Sequence, residues 1–206
     1  MIPVSSLSAR AALFPGDNVD TDTIVPARFL YRNRKDGFKD TLFYDLRLDK
    51  QGMERPDFVL NQAAHRDPGI LVCGDNFGCG SSREHAVWAL LDSGIACVIA
   101  GSFGDIFRSN AIENGLLPVS LPQEELEALR RVLEKTEACD LVVNLIDQVI
   151  CGPEGYVVQF AFDAAAKEKL ILGQSAIDAT LAYRADIERF EKAYRLTMDW
   201  IFEPCA

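Results

Sequence analysis

Between Gly69 and Leu121 short apolar runs alternate with helical patterns, and this alternation restricts the fold more than any other feature of the chain. Ile70 to Cys73 is a short apolar run, Arg83 to Asp92 has a helical pattern, and Ile95 to Ala100 is rich in β-branched residues. A second helix is expected from about Phe103 to Asn114, stopping at Gly115, a residue type that adopts the left-handed closing conformation without steric cost. Leu116 to Leu121 then reads as a third strand. Strands joined by helices run parallel, with right-handed crossovers. The expected class is α/β, with parallel βαβ units.

The flanking segments are less regular. Met1 to Asp20 ends in the turn-forming Pro15 to Asn18, from which a loop is expected to lead into the next motif. Residues 27 to 57 show no clean period and read as a long, partly irregular excursion, of the kind that is usually functional. Pro122 to Lys135 carries Leu126, Leu129, Val132 and Leu133 on one face, as an amphipathic helix does. Leu141 to Cys151 and Tyr156 to Phe162 are strand-like and suggest a hairpin through Gly152 to Gly155. Two helices are expected after the hairpin, one before Gly173 and one around Ala185 to Asp199, where Ile187, Phe190 and Tyr194 form an apolar stripe of the kind used in core packing. One domain over residues 1–206, with a helical extension from about 163 to 206, is the expected organisation.

Net charge excludes some partners. With 31 acidic against 21 basic residues and a formal charge of -10, the chain repels phosphate backbones and anionic membranes. It has no apolar run of roughly 18 residues and no secretory pattern in MIPVSSLSAR, so a soluble, cytoplasmic protein is expected. None of its six cysteines forms a C-x-x-C pair, and Cys97 lies within an apolar run. Reduced, structural thiols are expected, with Cys73 and Cys79 flanking the most glycine-rich loop. A self-contained metal site is not.

That loop, GDNFGCGSSREHA over Gly74 to Ala86, lies between the first strand and first helix of the βαβ unit, where ligands of α/β proteins bind. Its helix start favours an anion. It lacks G-K-[ST] and G-x-G-x-x-G, which argues against a nucleotide. Ser81 and Glu84 fit a capping box, so the serine has a purely structural alternative. Arg83, a cation where the helix dipole disfavours one, is better explained by a carboxylate ligand or partner. Asp22, within Asp20 to Thr23, fits either a local turn or a functional role.

The run GDNFGCGSSREHA resembles the signature of the aconitase swivel domain, and DNVDTDTIVP (Asp17 to Pro26), SFGDIFRSN (Ser102 to Asn110) and GLLP (Gly115 to Pro118) occur in that family's order. The length and C-terminal helices resemble the longer bacterial type of 3-isopropylmalate dehydratase small subunit. This resemblance implies a three-layer β/β/α swivel domain closing over an active site built mainly on a large subunit. That partner would carry a 4Fe-4S cluster, and this chain none. The substrate would be a small dicarboxylic or tricarboxylic hydroxy acid. Ser81 would be the general base, Arg83 would bind substrate carboxylate with Ser82 beside it, and Asp22 would be an active-site aspartate. Asn110 would be structural.

In the family the segment Arg28 to Arg34 reads the variable substituent. Phe29, Leu30 and Tyr31 would suit an isopropyl group, whereas Arg32 and Arg34 would suit a further carboxylate. Citramalate, dimethylmalate and homocitrate-type acids therefore stand as alternatives to 3-isopropylmalate. A noncatalytic swivel-fold binding module is the alternative from another class.

Overall fold

The computed structural model describes residues 2–136 and 139–201, so Cys205 lies outside the described residues. The chain separates into two compact units, Met1–Gly173 and Gln174–Ala206. In chain order the first contains β1 (Ser6–Leu13), α1 (Thr21–Ile24), α2 (Tyr44–Arg47), β2 (Ile70–Val72), α3 (Glu84–Asp92), β3 (Cys97–Ala100), α4 (Asp105–Asn114) and β4 (Leu117–Ser120). Next come α5 (Gln123–Lys135), β5 (Asp140–Asn144), β6 (Val149–Cys151), β7 (Val157–Gln159) and α6 (Ala164–Leu172).

The strands form one seven-stranded sheet in the order β4-β3-β2-β1-β5-β6-β7. From β4 to β1 neighbours are parallel, and from β1 to β7 they are antiparallel. β1 joins the two halves: Ala11 to Leu13 pair with Ile70 to Val72, while Ser6 to Arg10 pair with Asp140 to Asn144 in the opposite sense. The stretch before the Pro15 to Asn18 turn, for which the sequence pattern predicts no element, thus supplies the central strand. Its composition, SLSARAAL, has no β-branched residue, so it lacks the usual strand signal.

The parallel strands are covered on both faces, which is why Ile70, Leu71 and Val72 are all fully buried. Leu71, Val98 and Ala100 pack on one side with Ala86, Leu90 and Phe107 from α3 and α4. Ile70, Cys97 and Ile99 pack on the other with α5, with Val143 and Ile150 of the antiparallel strands, and with Leu170 of α6. The result is an α layer, the parallel strands, and a layer in which the antiparallel strands share space with α5 and α6.

Boundaries in the βαβ region agree with the sequence pattern. Gly115 closes α4 with φ 88°, and Leu126, Leu129 and Leu133 form the buried stripe of α5. The run Leu141 to Cys151 is instead two strands. Asn144 and Asp147 exchange hydrogen bonds of 2.7 and 3.0 Å, and Gln148 turns through φ 55°, so the chain reverses within the run. Among the described residues no helix is long and apolar enough to cross a membrane.

The second unit holds α7 (Ala176–Leu181) and α8 (Arg184–Thr197). The sequence pattern does not predict α7, which Ser175 and Asp178 start with a capping box. Within this unit Phe190 of the α8 stripe stacks on Tyr194.

Truncating Leu129 to Ala, at the centre of the α5 contact, removes apolar area from a fully buried position. We expect Leu129→Ala to lower unfolding free energy by about 2–5 kcal/mol, measured by urea denaturation of the purified chain.

Candidate functional site

At the carboxyl end of β2 the glycine-rich loop is held from two sides. The Asn18 and Thr21 amides donate to the Asp75 and Cys79 carbonyls at 2.8 and 3.0 Å, and the Gly78 amide returns a bond of 2.7 Å to Val19. Asp17 accepts from the Asp75 amide at 2.8 Å, and Asn76 donates to the Asn18 side chain at 2.8 Å. From the other side the Phe77 amide donates to Ser102 and the Gly104 amide to Phe77, each at 3.0 Å. Three of the four sequence motifs therefore meet at one loop. Two glycines are required by closeness: a Cβ on Gly74 would fall on the Asp17 carboxylate, and one on Gly78 would enter the Phe107 ring.

Asp20 caps α1 by accepting from the Thr23 amide at 2.6 Å. The Thr23 bonds hold its carboxyl below the ordinary carboxylate range, burial opposes them, and Arg83 adds a smaller lowering. The same short helix presents Asp22, whose carboxylate forms an ion pair with Arg83. The pair is asymmetric: the arginine side chain is 14% exposed and the aspartate 52%. Nη1 of Arg83, the atom that meets Asp22, is shielded from solvent.

Ser81 is not a helix cap. The N-cap of α3 is Arg83, with extended backbone angles and no side-chain capping bond, and Glu84 turns away to accept from Asn114 at 2.8 Å. Arg83 therefore stands at the cap position and not within the first turn. Ser81 and Ser82 are exposed upstream of the helix. The carbonyl of Ser81 accepts from the Thr21 hydroxyl at 3.0 Å, and its own hydroxyl makes no hydrogen bond among the described residues.

Two supporting residues are not apparent from the sequence. Asn114 clips α3 to α4, accepting from the Trp88 indole at 3.0 Å while donating to Glu84. It belongs to none of the motifs, and Asn110, which does, offers only its carbonyl to Asn114. Thr21 lies inside the TDTI segment, where its acidic neighbours carry the more conspicuous signal.

The excursion after Pro26 folds onto the same region. Arg32 is forked on Asp40, and Arg34 on Asp92 at 2.7 and 2.8 Å. Both guanidiniums are thus engaged with acids of the chain itself. Arg28 is likewise forked on Asp45. Phe29 packs against Tyr44 and the core, while Tyr31 is 88% exposed. The main chain of Leu30 lies beside His85, whose imidazole is depressed below its ordinary pKa chiefly by burial.

Among the described residues Cys73, Cys97 and Cys139 are buried, which pushes each thiol up, while the partly exposed Cys79 lies in the glycine-rich loop and the partly exposed Cys151 at the end of β6. Among the described residues no group of three or more His, Cys, Asp or Glu is placed to hold a metal ion.

The capping role of Asp20 has a pH signature. Its folded pKa lies below the unfolded one, so the stability it contributes is present above the unfolded value and is lost as pH falls through the folded value. We expect Asp20→Ala to cost about 0.5–2 kcal/mol at neutral pH. In urea melts the difference from wild type should shrink below the ordinary aspartate pKa of ~3.9.

A family model described as the aconitase C-terminal domain matches residues 7–124. Relatives named 3-isopropylmalate dehydratase small subunit include one from Parvibaculum lavamentivorans, 47% identical and covering 96% of this chain and 98% of its own length. Another, from Phenylobacterium zucineum, is 46% identical over 95% of this chain and 96% of its own. A crystal structure of 3-isopropylmalate dehydratase from Methanocaldococcus jannaschii superposes with a TM-score of 0.64 at 26% identity, over 90% of this chain and 99% of that one.

Proposed function

Because the chain belongs to the aconitase C-terminal domain family, among its 3-isopropylmalate dehydratase small subunits, we propose that it is the small subunit of a two-subunit hydro-lyase of leucine biosynthesis. The enzyme interconverts 2-isopropylmalate and 3-isopropylmalate by dehydration and rehydration, as a soluble protein of the cytoplasm. The observation that supports the assignment of roles is the placement of Ser81: outside the helix, exposed, and two residues before an arginine held by Asp22.

In this reading Ser81 removes the proton beside a substrate carboxylate and returns it on rehydration. Arg83 binds carboxylate with its planar fork, Ser82 lies beside it, and Asp22 holds the guanidinium until substrate arrives. A serine hydroxyl is a poor base unless its alkoxide is stabilised. A helix N-terminus supplies only roughly 0.3–1 kcal/mol. Arg83 and oriented N–H donors in a water-excluded site supply several kcal/mol more. With Ser81 and Ser82 exposed, that exclusion has to come from a second protein surface. The large subunit provides it, and the 4Fe-4S cluster of this enzyme class belongs there too, a reading supported by the lack of a three-donor cluster of His, Cys, Asp or Glu among the described residues.

The state of the arginines favours an alkyl substituent. Arg32 and Arg34 are occupied by Asp40 and Asp92, while the neighbouring Tyr31 is exposed and free of such a partner. This supports an isopropyl group over a third carboxylate.

In the reconstituted two-subunit enzyme Ser81→Ala should lower kcat by about 10² to 10⁴ with an unchanged melting temperature. Near-normal turnover would remove the serine from the chemistry. Arg83→Lys should raise KM and lower kcat together, because an ammonium cannot hold a carboxylate at two points. Unchanged steady-state kinetics with 3-isopropylmalate would take Arg83 out of the site.

A further inference from the structure

We infer that Thr21 is a positioning residue for Ser81, setting through one buried hydroxyl the direction of the serine-bearing backbone. The inference rests on the role given to Ser81 above. Two polar residues are buried among the described residues, Thr21 and Thr41, at 1% and 0% exposure. Thr41 bonds locally, to the Phe38 carbonyl three residues away at 2.7 Å. Thr21 instead reaches across 60 residues of chain, donating to the Ser81 carbonyl at 3.0 Å.

That bond is the single hydrogen bond made by Gly80, Ser81 or Ser82 among the described residues. The stretch otherwise has little to fix it. Gly80 has φ +89°, in the region glycine enters freely, and imposes no preference of its own on the direction of Ser81. Thr21 brackets this glycine: its amide donates to the Cys79 carbonyl at 3.0 Å and its hydroxyl to the Ser81 carbonyl. The threonine is itself well anchored, because Asp20 caps the helix it begins and its own carbonyl accepts from the Val25 amide at 3.0 Å.

A trans peptide is planar, with its C=O and N–H pointing in opposite directions. Holding the Ser81 carbonyl toward Thr21 therefore also fixes the direction of the Ser82 amide, away from Thr21. The hydroxyl thus orients one peptide unit whose two ends belong to the serine pair. Its loss would leave the carbonyl free to take water, since Ser81 is exposed, so folding should suffer little while alignment of the base suffers.

The test is steady-state kinetics of the reconstituted two-subunit enzyme with 3-isopropylmalate, with thermal melts of each variant. Thr21→Val, close in shape but without the hydroxyl, should lower kcat about 10- to 100-fold, a span typical of misplaced catalytic groups, with KM changed less than about threefold. Thr21→Ser should retain kcat within about threefold of wild type, because it restores the donor. Thr21→Ala against Thr21→Ser isolates the hydroxyl at smaller size if the valine variant folds poorly. Ser81→Ala is the control. If Ser81→Ala is impaired but Thr21→Val turns over normally, or if Thr21→Ser is as slow as Thr21→Ala, the positioning role is wrong. If Ser81→Ala is itself unimpaired, the role of the serine fails first and the inference falls with it.

Discussion

The structure depends on the hydrogen-bonded seam between residues 17–21 and the loop 75–81. Main-chain and side-chain donors of Asn18, Thr21, Asp75, Asn76 and Gly78 all cross it. Each bond joins segments far apart in the chain, so the seam exists only once β1 and β2 lie side by side. The site is therefore a consequence of the parallel pairing, not a local property of the glycine-rich loop. Without the seam the loop would be a flexible connection and Asp22 would have no fixed relation to Arg83.

The sheet gives the seam its setting. β1 pairs one way with β2 and the other way with β5, so a single strand carries both halves. On the parallel side β2 and, beyond it, β3 are buried on both faces, which makes their carboxyl ends rigid edges from which loops emerge. Gly74 and Gly78 permit the loop to lie against Asp17 and Phe107 at distances that any side chain would prevent. The polar groups of the site are then divided between a protected layer, in which Thr21 and Arg83 sit, and an exposed rim formed by Ser81, Ser82 and Asp22. A rim of that kind suits a site completed by another protein.

Residues with strong periodicity are legible in the sequence. The βαβ region and α5 can be read from apolar spacing, and the meeting of the motifs from their resemblance to one family. The features that are not legible lack a local signal. β1 is built of small and polar residues and becomes a strand only because its neighbours pair with it. Ser81 and Glu84 match the capping-box pattern, but Glu84 has a stronger partner in Asn114. Arg32 and Arg34 look free for substrate in the sequence because no spacing rule marks Asp40 and Asp92 as their partners. Thr21 is hidden among aspartates whose charge is more conspicuous, although its hydroxyl is the group that reaches Ser81.

In the proposed function this chain supplies half of a hydro-lyase site, and its exposed rim becomes active against a second protein. The most direct measurement is a titration of the large subunit of 3-isopropylmalate dehydratase with the purified chain, monitoring conversion of 3-isopropylmalate to 2-isopropylmalate. We expect no turnover from the chain alone and a rise to a plateau at a fixed ratio of the two subunits. Turnover by the chain without the large subunit, or a stable complex that leaves 3-isopropylmalate untouched, would contradict it.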